Sequence, residues 1–277
     1  MKIALIQQHA TANRQENLNR GLAAARAAAE QGAQILCFAE LAFDLFYPQN
    51  PATAKDLAQA EPVPGPTTEA FCALAAELGV VVVLNVFEQA DDGGLPYDSS
   101  PVIDADGSLL GVCRMVHITE YPFFHEQGYY RPGDRGVPVF QTRHGRIGVA
   151  ICYDRHYPEY MRALALNGAE LVVVPQAGSV GEWPPGLYEA EMQVAAFQNG
   201  YFTALCNRVG SEEHLDFAGE SFVCDPAGRV LKRAGADVDE ILCCDIDLDQ
   251  VEKSHARQLF LRDRRPKLYA NWLGQEI

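Results

Sequence analysis

Positive charge is what this sequence has least of. Its 277 residues carry 22 Lys and Arg against 37 Asp and Glu, a net charge of −15. Lysine supplies only five of those cations: Lys2, Lys55, Lys232, Lys253 and Lys267. Nucleic acid and anionic membrane surfaces are bound through arrays of cations, so neither is an expected partner. No apolar run approaches the roughly 20 residues of a membrane span, and residues 1–7 are too short an apolar stretch for a signal peptide. The eight cysteines (Cys37, Cys72, Cys113, Cys152, Cys206, Cys224, Cys243 and Cys244) show no C-x-x-C spacing and lie in apolar surroundings. That argues against a zinc site or a disulfide framework and suits a reducing cytoplasm. Internal repeats and low-complexity segments are missing too. What is plentiful is apolar residues, 48% of the chain, enough for a sizeable core.

Those apolar residues fall into alternating strand-like and helix-like runs. Residues 2–8 predict a strand, 13–31 an alanine-rich helix stopped by Gly32, and 34–39 a second strand closed by Glu40. A short helix over 52–60, a proline-rich connector and a helix over 67–78 follow, then an apolar strand over 80–87. Strands 97–103 and 108–116 are joined by Asp104-Ala105-Asp106-Gly107, a hairpin signal because glycine tolerates positive φ. The second half adds strands at 147–151, 171–174, 201–206 and 240–246, a helix over 186–199, and a hairpin over 221–231. Asp247 is placed to cap a short helix ending at His255. Two βαβ regions around a meander predict one α/β domain over 1–277, with two stacked mixed sheets between helix layers.

The most informative stretch runs from Arg146 to Gln176. The strand over 147–151 ends abruptly at Cys152; Asp154 can cap the following helix, and Pro158 and Glu159 suit its first turn. Cys152 therefore stands at the carboxyl end of a strand, where α/β sheets place their chemistry. Nearby helix amides would favour its thiolate and hold an oxyanion, making it the expected fastest of the eight cysteines to alkylate. Taken alone, a cysteine in such a run is as readily a buried packing residue. Glu40 alone could be a solvated strand end, Glu126 a surface loop acid, and Met115 a core residue.

Gly148-Val149-Ala150-Ile151-Cys152-Tyr153-Asp154-Arg155 resembles the nucleophile elbow of the nitrilase superfamily, the carbon–nitrogen hydrolases. That resemblance implies a four-layer αββα sandwich and a Glu–Lys–Cys catalytic set with a second glutamate nearby. It implies no metal and no organic cofactor, and a homodimer or higher homo-oligomer. Cys152 matches the nucleophile, Glu40 the general base and Glu126 the second glutamate; His117 and Pro132-Gly133-Asp134 fit as well. The lysine position is occupied by Met115. The step from Met115 to Glu126 keeps the family spacing, and the five lysines lie elsewhere. The resemblance makes the Tyr153 N–H an oxyanion donor and places Gln176 in a substrate-contacting loop. Asn207-Arg208-Val209-Gly210 is a further point of likeness.

Arg155-His156 resembles the branches that hydrolyse N-carbamoyl amino acids, β-ureidopropionase-like members among them. There an arginine meets the substrate carboxylate, a task its planar fork suits; a salt bridge to Glu159 or Asp154 is the alternative. The expected substrate is thus a small N-carbamoyl amino acid, with a simple amide or ω-amide as a rival. Met115 supports another reading, a member that has lost catalysis and serves as a binding or scaffolding subunit. If a cation replaces the lysine, His117 on the same strand face is the better candidate than Arg114. The tail over 257–277, with Arg262, Arg264, Arg265 and Lys267, is expected at a subunit interface.

Overall fold

The apolar β-branched runs form strands and the alanine-rich stretches between them form helices. A computed structural model describes residues 1–272. The first half contributes β1 (Lys2–Gln7), α1 (Arg14–Glu30), β2 (Ile35–Phe38), α2 (Ala54–Leu57), α3 (Pro66–Leu78), β3 (Val81–Val83), β4 (Val86–Glu88), β5 (Tyr97–Ile103) and β6 (Leu109–Arg114). Next come β7 (Val139–Thr142), β8 (Gly145–Val149), α4 (Pro158–Leu166), β9 (Leu171–Gln176), α5 (Leu187–Asn199) and β10 (Phe202–Asn207). The remainder is β11 (Val209–Ser211), β12 (Asp216–Ala218), β13 (Phe222–Cys224), β14 (Val230–Arg233), β15 (Glu240–Asp245), α6 (Asp249–Lys253) and α7 (Pro266–Trp272).

One sheet has the order β15-β1-β2-β3-β5-β4, with β6 added on β5; the other has the order β14-β13-β10-β9-β8-β7. The central pairs β1–β2, β2–β3, β8–β9 and β9–β10 are parallel. The sheets meet where β1 and β2 face β9 and β10. Across that seam the Cys206 thiol donates to the carbonyls of Ile6 (3.5 Å) and Cys37 (3.4 Å). Helices α1 and α3 cover the first sheet and α4 and α5 the second, the four layers that were expected. Among the described residues, no helix is long and apolar enough to cross a membrane.

The differences from expectation have local causes. The strand expected over 80–87 is interrupted between β3 and β4, where buried Asn85 accepts the Leu41 N–H (2.8 Å) and turns its amide toward Asp98 and Ser100. A side chain that takes over backbone hydrogen bonds competes with the strand ladder. The helix expected over 52–60 shrinks to α2, opened by a Thr53–Asp56 capping box. Asp154 does not cap α4. A 3₁₀ turn over Cys152–His156 intervenes, and α4 begins beyond Tyr157 without a side-chain cap. Asp247 accepts the Asp249 N–H at 3.1 Å, but the N-cap is Leu248, without a side-chain cap, and α6 stops at Lys253 short of His255. Of the expected tail, residues 273–277 lie outside the described residues; Arg257 ties its start to the Ala169 carbonyl at 2.9 Å.

Candidate active site

Both loops that carry the candidate residues are strained beside them. Cys152 has φ +42° and Leu41, next to Glu40, has φ +44°. The left-handed region costs a non-glycine residue about 1–3 kcal/mol and persists only when the surroundings over-determine it. Those surroundings are visible. At the elbow, Arg155 Nη1 donates to the Cys152 carbonyl and to Gln176 Oε1, both at 2.8 Å, and Gln176 Nε2 lies 3.3 Å from the Cys152 sulfur. A Cβ on Gly148 would meet a Leu164 methyl at 2.7 Å, so glycine there lets α4 press against the strand. At the other loop, buried Arg208 donates to the carbonyls of Glu40 (3.0 Å), Leu41 and Asp44 (2.8 Å) and pairs with Glu212 (2.5 Å).

These supports bring three expected residues together. One carboxyl oxygen each from Glu40 and Glu126 and the Cys152 sulfur all lie within 4.8 Å of one another. Both glutamates are 0% exposed and Cys152 4%. Glu126 begins a short 3₁₀ turn and accepts the Thr119 N–H at 3.3 Å. Burial disfavours charge here, and the acids reinforce it in one another. Burial, then the charge of Glu126, pushes the Glu40 carboxyl up to about 7. Burial, then Asp98, raises Glu126, and burial, then Glu40, raises the Cys152 thiol. The thiolate expectation is thereby corrected. Cys152 is not at the N-terminus of α4, and burial beside two acids outweighs Arg155, so the resting thiol keeps its proton. The basis for its being the fastest cysteine to alkylate goes with it, since Cys72 and Cys243 are more accessible.

Met115 is 0% exposed at the end of β6. Cys113, two residues earlier on the same face, donates its S–H to the Val149 carbonyl at 3.5 Å, which turns that face toward the elbow strand. Arg114 points the other way, as expected, to Glu88 (2.7 Å) and Asp134 (2.8 Å) and over the Tyr97 ring. Pro132-Gly133-Asp134 locks this strand end. Gly133 N–H donates to the Met115 carbonyl at 2.7 Å, and a Cβ on Gly133 would come within 2.4 Å of the Arg114 carbonyl oxygen. None of the five lysines is buried.

His117, the better of the two candidates for a replacement cation, is committed elsewhere. Its Nδ1 is 2.6 Å from Asp154 and its ring stacks 3.5 Å from Tyr157. His156 is likewise committed, 2.6 Å from Glu191 and edge-on to Trp183. Among the described residues neither imidazole bonds to the cluster, so both brace the elbow from outside. Tyr153 follows the sulfur directly, with its ring packed on His156 and Tyr157. Arg155 pairs with neither Glu159 nor Asp154. Its Nε is 3.2 Å from Glu191, its guanidinium lies over Tyr188, and its Nη2 is buried without a hydrogen-bond partner.

Four residues given no role in the sequence reading shape the site. Arg208 clamps the Glu40 loop. Asn207 bonds the Gly178 N–H (2.8 Å) and carbonyl (3.1 Å) and so fixes the loop after Gln176. Glu182 accepts the hydroxyls of Tyr121 (2.5 Å) and Tyr188 and the Ser179 N–H (3.0 Å). Asp98 is 0% exposed beside Glu40. The available signal was polar residues ending apolar strands: Asn-Arg after residue 206 and Asp98 at the start of an apolar run.

A thiol and two buried carboxyls gathered at the ends of parallel strands are the layout of a hydrolase that attacks through sulfur. Residues 2–256 match the carbon–nitrogen hydrolase family. The chain belongs to that family, within the nitrilase superfamily, and is an amidohydrolase. It is 38% identical over 258 residues to an N-carbamoylputrescine amidase from Solanum lycopersicum, covering 88% of this chain and 85% of that protein. To a citrullinase from Francisella tularensis it is 32% identical, covering 97% and 96%. A carbon–nitrogen hydrolase from Helicobacter pylori G27 superposes with a TM-score of 0.93 at 29% identity, covering 100% of this chain and 99% of that one.

Proposed function

We propose that the chain hydrolyses the carbamoyl group of a small N-carbamoyl amino acid through a thioester on Cys152. The observation that carries this reading is the approach of the sulfur and both carboxyls to within 4.8 Å. Glu40, as carboxylate, takes the thiol proton while sulfur bonds to the carbonyl carbon. A thiol and a base both held above their ordinary values suit concerted transfer better than a preformed thiolate. The carbonyl oxygen takes up the charge beside the Tyr153 N–H. As the C–N bond breaks, protonated Glu40 returns its proton to the leaving amine. Water then adds to the carbamoyl thioester and loses a proton to Glu40. The sulfur leaves as thiol, and the freed carbamic acid gives carbon dioxide and ammonia. Glu126 fixes the substrate amino group. No step calls for a metal or an organic cofactor.

The substrate class is supported by Arg155, whose unpartnered Nη2 lies on the side chain that also holds the Cys152 carbonyl. An unpaired buried donor is costly unless something completes it, and a substrate carboxylate would. Gln176 contacts the sulfur from the same side. His156 and His117 act on substrate through the elbow they brace. The compounds named for the two relatives, N-carbamoylputrescine and citrulline, share a terminal carbamoyl-nitrogen group. The test is a panel of N-carbamoyl amino acids, N-carbamoylputrescine, citrulline and short amides, read by ammonia and carbon dioxide release with mass spectrometry of Cys152. Carbon dioxide with ammonia from the acidic carbamoyl compounds is the expected result. Ammonia alone, from amides, selects an amidase or ω-amidase. No adduct and no turnover on any compound leaves the binding-subunit reading, which Met115 favours. The chain is further proposed to work in the cytoplasm as a homodimer or higher homo-oligomer, through a face that includes exposed Leu259, Phe260, Leu268 and Trp272 of the tail.

A further inference from the structure

The cluster has more acid than its chemistry requires and no central cation to balance it. Asp98 is the surplus. The backbone bond from the Met115 N–H to the Asp98 carbonyl (2.9 Å), continuing the Ser99–Arg114 register, makes Asp98 the cross-strand partner of Met115, so both side chains stand on the same face. Asn85 Nδ2 donates to Asp98 Oδ1, and the carboxyl groups of Asp98 and Glu40 are close enough to share a hydrogen bond. Asp98 Oδ2 and both Glu40 oxygens are buried without any donor. Two carboxylates cannot satisfy each other; a carboxylic acid and a carboxylate can.

We propose that Asp98 is a positioning residue for Glu40: a carboxylic acid that keeps its proton and donates it to the Glu40 carboxylate, doing from the strand beside Met115 what a buried cation would otherwise do. The shared proton leaves one net negative charge on the pair instead of two and fixes one Glu40 oxygen, turning the other to the Cys152 thiol. A neutral buried acid is a competent hydrogen-bond donor. Burial, then the charge of Glu40, raises Asp98 in the direction this requires. The other groups facing the pair agree. Glu126 and Asp154 repel a second charge, and Cys113, Cys152 and Tyr130 are pushed toward their neutral forms by burial. Arg208, whose charge favours the Glu40 carboxylate, spends both Nη groups on three carbonyls and Glu212 and leaves its Nε without a partner, while His117 is held by Asp154. When Glu40 takes the thiol proton both acids are neutral, and when Glu40 passes it to the leaving amine the shared state returns.

The kinetic consequence rests on Glu40 as the base, so the decisive measurements need no substrate. They are the pH dependence of Cys152 carbamidomethylation by iodoacetamide, followed on the Cys152 peptide, and the infrared carbonyl band of a protonated carboxyl at neutral pH. Asp98→Asn keeps the shape and gives Glu40 a permanent N–H donor. In the parent the Asp98 O–H already donates to the charged form, so exchanging one neutral donor for another should leave the acid limb of alkylation close to that of the parent. The protonated-carboxyl band should lose the share of Asp98 and keep that of the other raised acids, Glu40 and Glu126. Asp98→Leu, with no donor, should move the limb up. In Met115→Lys the ammonium ionises Asp98, so adding Asp98→Asn there removes a charge from beside Glu40 and should move the limb down. A clear downward shift of the limb in Asp98→Asn, the sign that a charge has been removed from beside Glu40, or an infrared band that keeps its full intensity, would overturn the proposal. If no carbamoyl compound is ever turned over, these two readouts still decide it.

Discussion

The two sheets bring opposite chemistry to one sulfur atom. From the second sheet come Cys152 itself, the Tyr153 N–H, Arg155 and Gln176, mostly donors and already joined to one another at 2.8–3.3 Å. From the first come Glu40 and Asp98, and with them Glu126 from the loop beyond β6: acids whose buried oxygens largely lack partners. The second side, paired except at Arg155, holds geometry; the largely unpaired acids of the first are the proposed proton carriers. Orphaned buried acceptors are costly, so the first sheet stores free energy that a proton or a substrate donor can release. That division predicts unequal responses to substitution, which falls hardest where proton transfer is removed and lightest where only packing or charge balance changes.

The largest effects belong to the atoms that react. Cys152→Ala should abolish turnover and any acyl adduct while leaving thermal unfolding near that of the parent. Glu40→Gln removes the proposed base and should cost about 10²–10⁴ in kcat. Thioester trapped by mass spectrometry in Glu40→Gln at the parental rate would show that another group takes the thiol proton. Next in size is a gain. A thioether donates no hydrogen bond, and an absent oxyanion donor is worth about 2.7–4 kcal/mol, on the order of 10²–10³ in rate. Met115→Lys should therefore raise kcat on whichever carbamoyl or amide substrate the parent accepts. Brisk parental turnover that falls on introducing lysine would mean that the acid-rich side works as it stands.

Arg155 sharpens the comparison because it serves both purposes. Read from sequence, its removal should weaken only acidic substrates, by roughly 1.5–3 kcal/mol. The structure adds a second role, since the same guanidinium holds the Cys152 carbonyl and Gln176. Arg155→Ala should then lower kcat for neutral amides as well, with a further loss in kcat/KM confined to acidic substrates. Equal loss for both classes would leave Arg155 as an elbow brace and remove the case for a carboxylate-binding site.

The strands, helices and layer order were legible because hydrophobic period and helix stops are local signals: α1 runs from its Asn13 cap to just before Gly32, and α3 ends at Gly79. The trio of Cys152, Glu40 and Glu126 was legible through family likeness, each standing in a recognisable run. What could not be read was pairing across distance. Asp154 looked like a helix cap, yet its carboxylate serves two backbone amides and the ring of His117 in the segment after β6. Asp98 looked like one polar residue at a strand start, and only the β5–β6 register sets it opposite Met115. Arg208 reaches back 168 residues to the Glu40 carbonyl, a contact no periodicity announces. Ionisation followed the same rule. The thiolate expected from a nearby helix end gave way to burial once the neighbouring acids were in place.

The smallest expected effect is on stability, and it isolates the unsatisfied side without any substrate. Glu40 is raised to about 7 in the folded chain, whereas an unfolded glutamate titrates near ~4.3. Between those values the folded state holds a proton that the unfolded state has released. The stability this contributes is complete below the unfolded value and is lost as pH rises through the folded one. One proton held in this way changes the unfolding free energy by at most about 1.4 kcal/mol per pH unit. The parent Tm should therefore fall as pH is raised from 5 to 8, partly through repulsion among the many other acids. Glu40→Gln removes one share of that slope and leaves the rest. The two Tm curves should lie closest below pH 5, separate as pH rises toward 7 and keep a constant gap above it, with the variant the more stable. Parallel curves would mean that Glu40 ionises as freely in the folded protein as in the unfolded chain, and the acid-rich side of the sulfur would then carry no stored cost.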